Sequence, residues 1–353
     1  MTLLHHGGRL KDVAQQYHIA EALWIDLSTG VSPWHYPIPE IPAQYWNRLP
    51  EESDDLLDAA ANYYGGNNPL PVAGSQSAIQ TLPKVLALER DGPGKVLLPL
   101  VGYKEHERAW RMAGWQVGIY GDDLEAINAN GYPAPTKAQI ANCDVLLVIN
   151  PNNPSAHLTP PQVLTSWLAD LTANGSYLVI DEAFMDMTPQ QSMLSVTSEQ
   201  LIILRSVGKF FGLAGVRAGF VFAPNKVREL LQTQLGPWCV NGPARLICSH
   251  AFRDTAWHQV QIDRLEQASV RLQALLAILP GVVTGTTLFQ TVYLPSAALW
   301  HDHLCRHGIL TRLTDEQDAL RFGLPEHESQ WQKLTEVLAM LVAMPNFSHA
   351  LIK

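Results

Sequence analysis

Between residues 96 and 204 the chain alternates short apolar runs with segments of helical period, the pattern of a mostly parallel sheet covered by helices. The runs predict strands near Val96–Leu98, Gln116–Ile119, Val145–Ile149, Tyr177–Ile180 and Ile202–Leu204. One crossover is well punctuated. Thr159 can act as N-cap, Pro160 and Pro161 open the helix, and Val163, Leu164, Trp167, Leu168 and Leu171 form its apolar face before Gly175 ends it. The fold class is therefore α/β. Two strands run directly into polar residues, Asn150-Pro151-Asn152-Asn153-Pro154 after the third and Asp181-Glu182 after the fourth. Carboxyl ends of strands are where open α/β sheets bind ligands.

After about residue 250 the pattern loosens into long helical stretches, His258–Leu279 and Gln330–Met344, separated by a Gly/Thr-rich strand region. Residues before 46 carry many Pro and Trp and read as an extended arm. The expected division is an arm over 1–45, a large domain over 46–252 and a smaller α+β domain over 253–353. A chain of 353 residues suits two such domains, since single cores stop growing at roughly 250–300 residues.

Composition excludes several classes of function. With 24 Lys+Arg against 33 Asp+Glu the formal net charge is −9, and no run of basic residues offers a footprint for nucleic acid. No apolar run approaches the ~20 residues needed to span a bilayer. The opening residues lack the basic and apolar regions of a secretory signal, so a cytoplasmic location is expected. Cys143, Cys239, Cys248 and Cys305 are scattered without pairing or zinc-type spacing. His301, His303, Cys305 and His307 recur every second residue over an expected helix, which scatters them around the cylinder, so no metal site is expected.

Four pieces carry the chemistry. Gly74-Ser75-Gln76-Ser77 opens a helical stretch, and backbone N–H groups with hydroxyls at a helix N-terminus can bind an anion. The Asn/Pro loop over 150–154 is the second. Asp181 ends a buried-type strand and needs a partner, which could be a protonated pyridine nitrogen, an arginine or the N-terminus of a helix that it caps. Lys209 stands among apolar residues and glycines after a strand, an environment that can lower an amine's pKa and favour Schiff-base chemistry, whereas a lysine without such flanking residues reads as a surface one. No G-x-G-x-x-G follows the first strand, which argues against a dinucleotide site.

Ser206-x-x-Lys209 with Gly215-x-Arg217-x-Gly219 resembles the cofactor-lysine signature of fold type I pyridoxal-phosphate enzymes, the aspartate aminotransferase superfamily. Asn150-Pro151-Asn152-Asn153-Pro154 and Asp181-Glu182-Ala183-Phe184 stand in that superfamily's order and spacing. Within it, His6-Gly7-Gly8, the stretch Asp26–Pro33 and Pro237–Pro243 look most like the threonine-phosphate decarboxylases of cobalamin biosynthesis, relatives of the histidinol-phosphate aminotransferases.

The resemblance implies a three-layer sandwich, pyridoxal 5′-phosphate as cofactor and a homodimer. It implies further that Lys209 carries the cofactor as a Schiff base and later transfers a proton, while Asp181 pairs with the pyridinium nitrogen. Asn153 meets the phenolic oxygen and Tyr103 stacks on the ring, while Gly74, Ser75, Gln76, Ser206 and Arg217 hold the phosphate. Arg321 takes the substrate carboxylate, with Arg312, Gly30, Asn153 and His6 also at the substrate, a small phosphorylated amino acid. The implied reaction is decarboxylation of L-threonine O-3-phosphate, with transamination of the histidinol-phosphate type as the alternative. A ligand sensor fused to a DNA-binding segment is a weaker alternative, since no helix-turn-helix pattern precedes the sheet. Phe184 replaces a tyrosine that commonly donates to the phenolic oxygen, and Leu49 replaces one that commonly reaches the neighbouring subunit's cofactor phosphate. Gly30 and Ser155-Ala156 also depart from the usual Asn and Thr-Gly.

Overall fold

The computed structural model describes residues 7–344 apart from 124–126 and 128–129. The described strands run, in chain order, β1 (Ile25–Asp26), β2 (Leu70–Val72), β3 (Lys95–Pro99), β4 (Gln116–Tyr120), β5 (Val145–Ile149), β6 (Tyr177–Asp181) and β7 (Leu201–Ser206). They continue with β8 (Gly219–Phe222), β9 (Val282–Thr286), β10 (Phe289–Tyr293), β11 (Ile309–Leu310), β12 (Arg312–Leu313) and β13 (Ala319–Gly323).

One compact unit comprises Tyr36–Asn153 and His157–His258. Its sheet has the order β2-β8-β7-β6-β5-β3-β4, and β8 alone runs against its neighbours β2 and β7. All five strands expected from the apolar runs are present. The residues of β5, β6 and β7 are all buried, which is why they read as unbroken apolar runs rather than alternating ones. Two strands gave no such signal. β2 is three residues long with Pro71 at its centre, tolerable because it lies at the sheet's edge, and β8 begins at a glycine. Leu82, Val85 and Leu86 from the helix Ser75–Glu89 and Val227 and Leu231 from Asn225–Leu235 join Val145, Leu147, Val179 and Ile202 in one core.

The expected crossover helix forms over Pro161–Ala173 with Pro160 as its N-cap. Thr159 is not the cap because Asn150 holds it, accepting from its N–H at 2.8 Å and donating to its carbonyl at 3.0 Å.

Among the described residues, the other unit comprises 7–35, Pro154–Ala156 and 259–344. Its four-stranded sheet is antiparallel in the order β12-β13-β10-β9, with the helix Glu328–Val342 as its last element. Here the described chain departs from the expected boundaries. Where an arm over 1–45 was expected, the described residues around β1 join this unit, because β1 pairs in parallel with β11 and the Leu27 amide donates to Leu310 O at 2.7 Å. Ile25 and Leu27 are buried, so this segment is core rather than appendage. Pro154–Ala156 group here because Thr291 and Thr284 donate to the carbonyls of Pro154 and Ser155.

Candidate active site

Parallel strands β5, β6 and β7 end side by side, and each ends in a polar residue or loop. β6 ends at Asp181, β7 at Ser206, and β5 runs into the loop that carries Asn153. Asp181 is 4% exposed, and its partner is one the sequence did not suggest. Nε2 of His106, 3% exposed, lies 2.8 Å from Asp181 Oδ2, while the Ala183 amide donates to Oδ1 at 3.1 Å. A carboxylate only accepts, so Nε2 is the ring nitrogen that carries the proton against it. Neither an arginine nor a helix terminus fills that place. The signal was present, since His106 lies three residues after Tyr103 at the start of the helix Lys104–Met112 and so shares its side of the helix.

The anion-binding turn sits between β2 and the helix Ser75–Glu89. Gly74 has φ +73°, and a Cβ there would lie 2.7 Å from Nη2 of Arg217, so the guanidinium packs directly on the turn. Gly219 closes the other side, where a Cβ would fall 2.7 Å from the Ser75 nitrogen and 2.8 Å from the Arg205 carbonyl. Ser206 pairs with Gly219 across β7 and β8, which brings its hydroxyl to the same corner. The opening amides of the helix lack carbonyl partners within it. Helix amides, a guanidinium and serine hydroxyls make a donor set suited to a dianionic phosphate. Lys209 is half-buried after β7, with its Nζ 5.3 Å from the centre of the Phe184 ring. An amine, a buried carboxylate and a phosphate cradle within one unit are the groups that pyridoxal phosphate requires.

Gln76 departs from expectation. Its side-chain amide donates to Glu105 Oε2 at 3.0 Å and accepts from the Tyr103 hydroxyl at 3.1 Å, rather than pointing its whole donor capacity at the anion turn.

Beneath the strand ends lies a second feature missed in the sequence. Arg205 donates to Glu182 at 2.9 Å and to Asp186 at 3.3 Å, and its guanidinium lies 4.6 Å from the Tyr64 ring centre. Glu182 also accepts from Ser192 and the Met193 amide, and Asp186 from Tyr63. Burial pushes both carboxyls above their usual range, partly offset by the Arg205 charge. Burial alone would lower Arg205, but Asp186 and Glu182 hold it above its usual value. The cluster ties the residue after Asp181 to the residue before Ser206.

In the other unit Arg312 and Arg321 stand opposite each other across β12 and β13. Like charges so placed repel, and each is met by an acceptor. Arg321, 7% exposed, donates to the Ser28 carbonyl at 2.7 Å, and Arg312 to Asp315 at 3.0 Å. Gly30 is buried two residues beyond Ser28. His6 lies outside the described residues.

The Aminotransferase class I and II family model matches residues 47–330. A threonine-phosphate decarboxylase of Pseudomonas aeruginosa is 45% identical over 95% of this chain and 97% of its own. Another, from a Sinorhizobium species, is 37% identical over 95% and 98%. Among solved structures, a histidinol-phosphate aminotransferase from Sinorhizobium meliloti in complex with pyridoxal 5′-phosphate superposes with a TM-score of 0.75 at 18% identity, covering 97% of this chain and 100% of that one. At that identity the likeness speaks to the fold alone.

Proposed function

This chain belongs to the aminotransferase class I and II family, and we propose that it decarboxylates L-threonine O-3-phosphate to (R)-1-aminopropan-2-yl phosphate with pyridoxal 5′-phosphate, a step of cobalamin biosynthesis. The near-full-length similarity to two threonine-phosphate decarboxylases carries this choice of reaction. Bound pyridoxal phosphate supplies an electron sink for the pair released from the bond broken at the substrate's Cα.

Lys209 would hold the cofactor through Nζ, Asp181 would meet the pyridine nitrogen, Asn153 the phenolic oxygen and Tyr103 a ring face. The amides beside Gly74 and Ser75, with Ser206 and Arg217, would hold the phosphate. Asp181 would keep a proton on the pyridine nitrogen, because an opposite charge beside a protonated nitrogen favours that form. His106 fixes the plane of this carboxylate through Oδ2. Which bond at Cα breaks would depend on how the protein holds the substrate. The residues that grip the carboxylate therefore decide between loss of carbon dioxide and loss of the α-hydrogen. Arg321 would take that carboxylate, because a guanidinium suits a bidentate grip, and Arg312, Gly30 and His6 would meet the rest of the substrate. Lys209 Nζ would supply the proton that Cα takes up in place of the lost carboxylate, the substrate's ammonium being the source of that proton. A cytoplasmic homodimer completes the reading.

The test incubates cofactor-loaded protein with L-threonine O-3-phosphate, with and without 2-oxoglutarate, and measures carbon dioxide and glutamate. Carbon dioxide without any oxo-acid, lost in Lys209→Ala, is the expected result. Glutamate without carbon dioxide would instead make the chain an aminotransferase of the histidinol-phosphate type.

A further inference from the structure

We propose that Glu105 and Gln76 form a relay that orients the Tyr103 ring, which makes both of them positioning residues of the cofactor site. The inference rests on the cofactor reading above. It moves the Gln76 side chain from the phosphate to the ring face.

The donor arithmetic of the three groups has one solution. Glu105 is 4% exposed and, as a carboxylate, can only accept. The Gln76 amide must therefore present Nε2 to Glu105 Oε2, 3.0 Å away. This leaves Oε1 toward Tyr103, 3.1 Å away, so the phenol must donate. No flipped amide satisfies both neighbours. The phenol is thus held at its far end as well as at Cα, and the ring cannot swing about its side-chain torsions.

Glu105 is itself fixed. It lies in the first turn of the helix Lys104–Met112, where a negative charge is favoured by the helix dipole, and Arg108 Nη1 lies 3.5 Å from its other oxygen. Because Tyr103 is the N-cap of that same helix, backbone and relay converge on one side chain from two directions. A ring that stacks on a flat cofactor gains from such fixing, since the ordering cost is met before the cofactor arrives.

The test measures the Kd of pyridoxal 5′-phosphate by quenching of tryptophan fluorescence in the wild type, Glu105→Leu, Tyr103→Phe and the double variant. Each single change removes one hydrogen bond of the relay and is expected to weaken binding about 3–10-fold. The double variant should bind no more weakly than the worse single one, because both changes break the same chain. Glu105→Gln, whose amide oxygen can still accept from Gln76, should restore most of the affinity. Effects that multiply in the double variant, or an unchanged Kd in Glu105→Leu, overturn the relay. Should Glu105→Leu fail to fold, Gln76→Leu in the part-buried middle of the chain takes its place with the same expected coupling to Tyr103→Phe.

A cofactor-free readout separates this inference from the reading it rests on. Hydrogen exchange at the Gln76 side-chain amide, followed by NMR in the apoprotein, should be slow in the wild type and fast in Glu105→Leu. A wild-type protein that shows no Lys209-dependent absorbance with pyridoxal phosphate defeats the cofactor reading. Fast amide exchange in the wild type defeats the relay.

Discussion

Replacing Arg205 by methionine removes the guanidinium from a buried cluster that also holds two carboxyl groups, while leaving a side chain of similar length to fill the space. Arg205 is 2% exposed and donates to Glu182 at 2.9 Å and to Asp186 at 3.3 Å. Hydrogen bonds to charged groups contribute about 1.5–3 kcal/mol each, and removing one partner of a buried ion pair costs about 3–5 kcal/mol because the other charge is left stranded. The expected loss at neutral to mildly alkaline pH is therefore about 3–5 kcal/mol. The pH dependence gives the reasoning its sign. Glu182 and Asp186 already have raised folded-state pKa values from burial, and the arginine is the largest influence lowering them. Without it both rise further. A carboxyl raised in the folded state contributes stability that is present below its unfolded pKa and lost as pH climbs through the folded one. The variant should therefore lose least at about pH 5 and most at about pH 8. Urea unfolding followed by tryptophan fluorescence at both pH values, against wild type, reads the difference. An equal loss at the two values would falsify the electrostatic account and leave packing as the cause; a loss under about 1 kcal/mol would remove the cluster from the stability argument altogether. Since the cluster ties β6 to β7 just behind Asp181 and Ser206, weaker pyridoxal phosphate binding should accompany the loss.

Phe184→Tyr restores a hydroxyl beside Lys209 and should move the pH midpoint of the lysine–cofactor absorbance down by about one unit, since a donor to the phenolate favours the charged form; an unchanged or higher midpoint would refute this. Gly219→Ala forces a Cβ against the Ser75 nitrogen and the Arg205 carbonyl, both backbone atoms, so a loss of about 1–3 kcal/mol and weaker cofactor binding are expected. Thermal melts and a cofactor titration check it, and an unchanged Tm would mean that the turn can move away freely. Ala156 has φ +64°, a left-handed conformation that costs a non-glycine residue about 1–2 kcal/mol. Ala156→Gly should relieve part of that, offset by glycine's greater unfolded entropy, for a net gain of about 0.5–1 kcal/mol, and a lower Tm would contradict it.

The sequence by itself determined the α/β class and five of the strands, most plainly β5, β6 and β7, because a strand covered on both faces leaves an unbroken apolar run such as Val145–Ile149. It also singled out candidate positions for the proposed cofactor chemistry. Lys209, Asp181, Asn153 and Arg217 lie within short local stretches, and the structure sets Asp181 at the end of β6 and Arg217 against the Gly74 turn. Edge strand β2 and the antiparallel β8 were not legible, since three residues around a proline, or four that begin at a glycine, carry no periodicity. Nor was the grouping of the first described residues with the C-terminal segment. The pairing of Ile25 with Ile309 spans most of the chain, and the two residues announce each other by no local pattern.

Partnerships were decided only by the tertiary structure. His106 on Asp181, Glu105 on Gln76, Arg205 between Glu182 and Asp186, and Arg312 facing Arg321 all join residues whose sequence separation says nothing of their contact. A buried polar group needs a partner, and the sequence states that need plainly for Asp181. Which group meets the need depends on strand order and helix placement, so the answer appears only once the chain has folded.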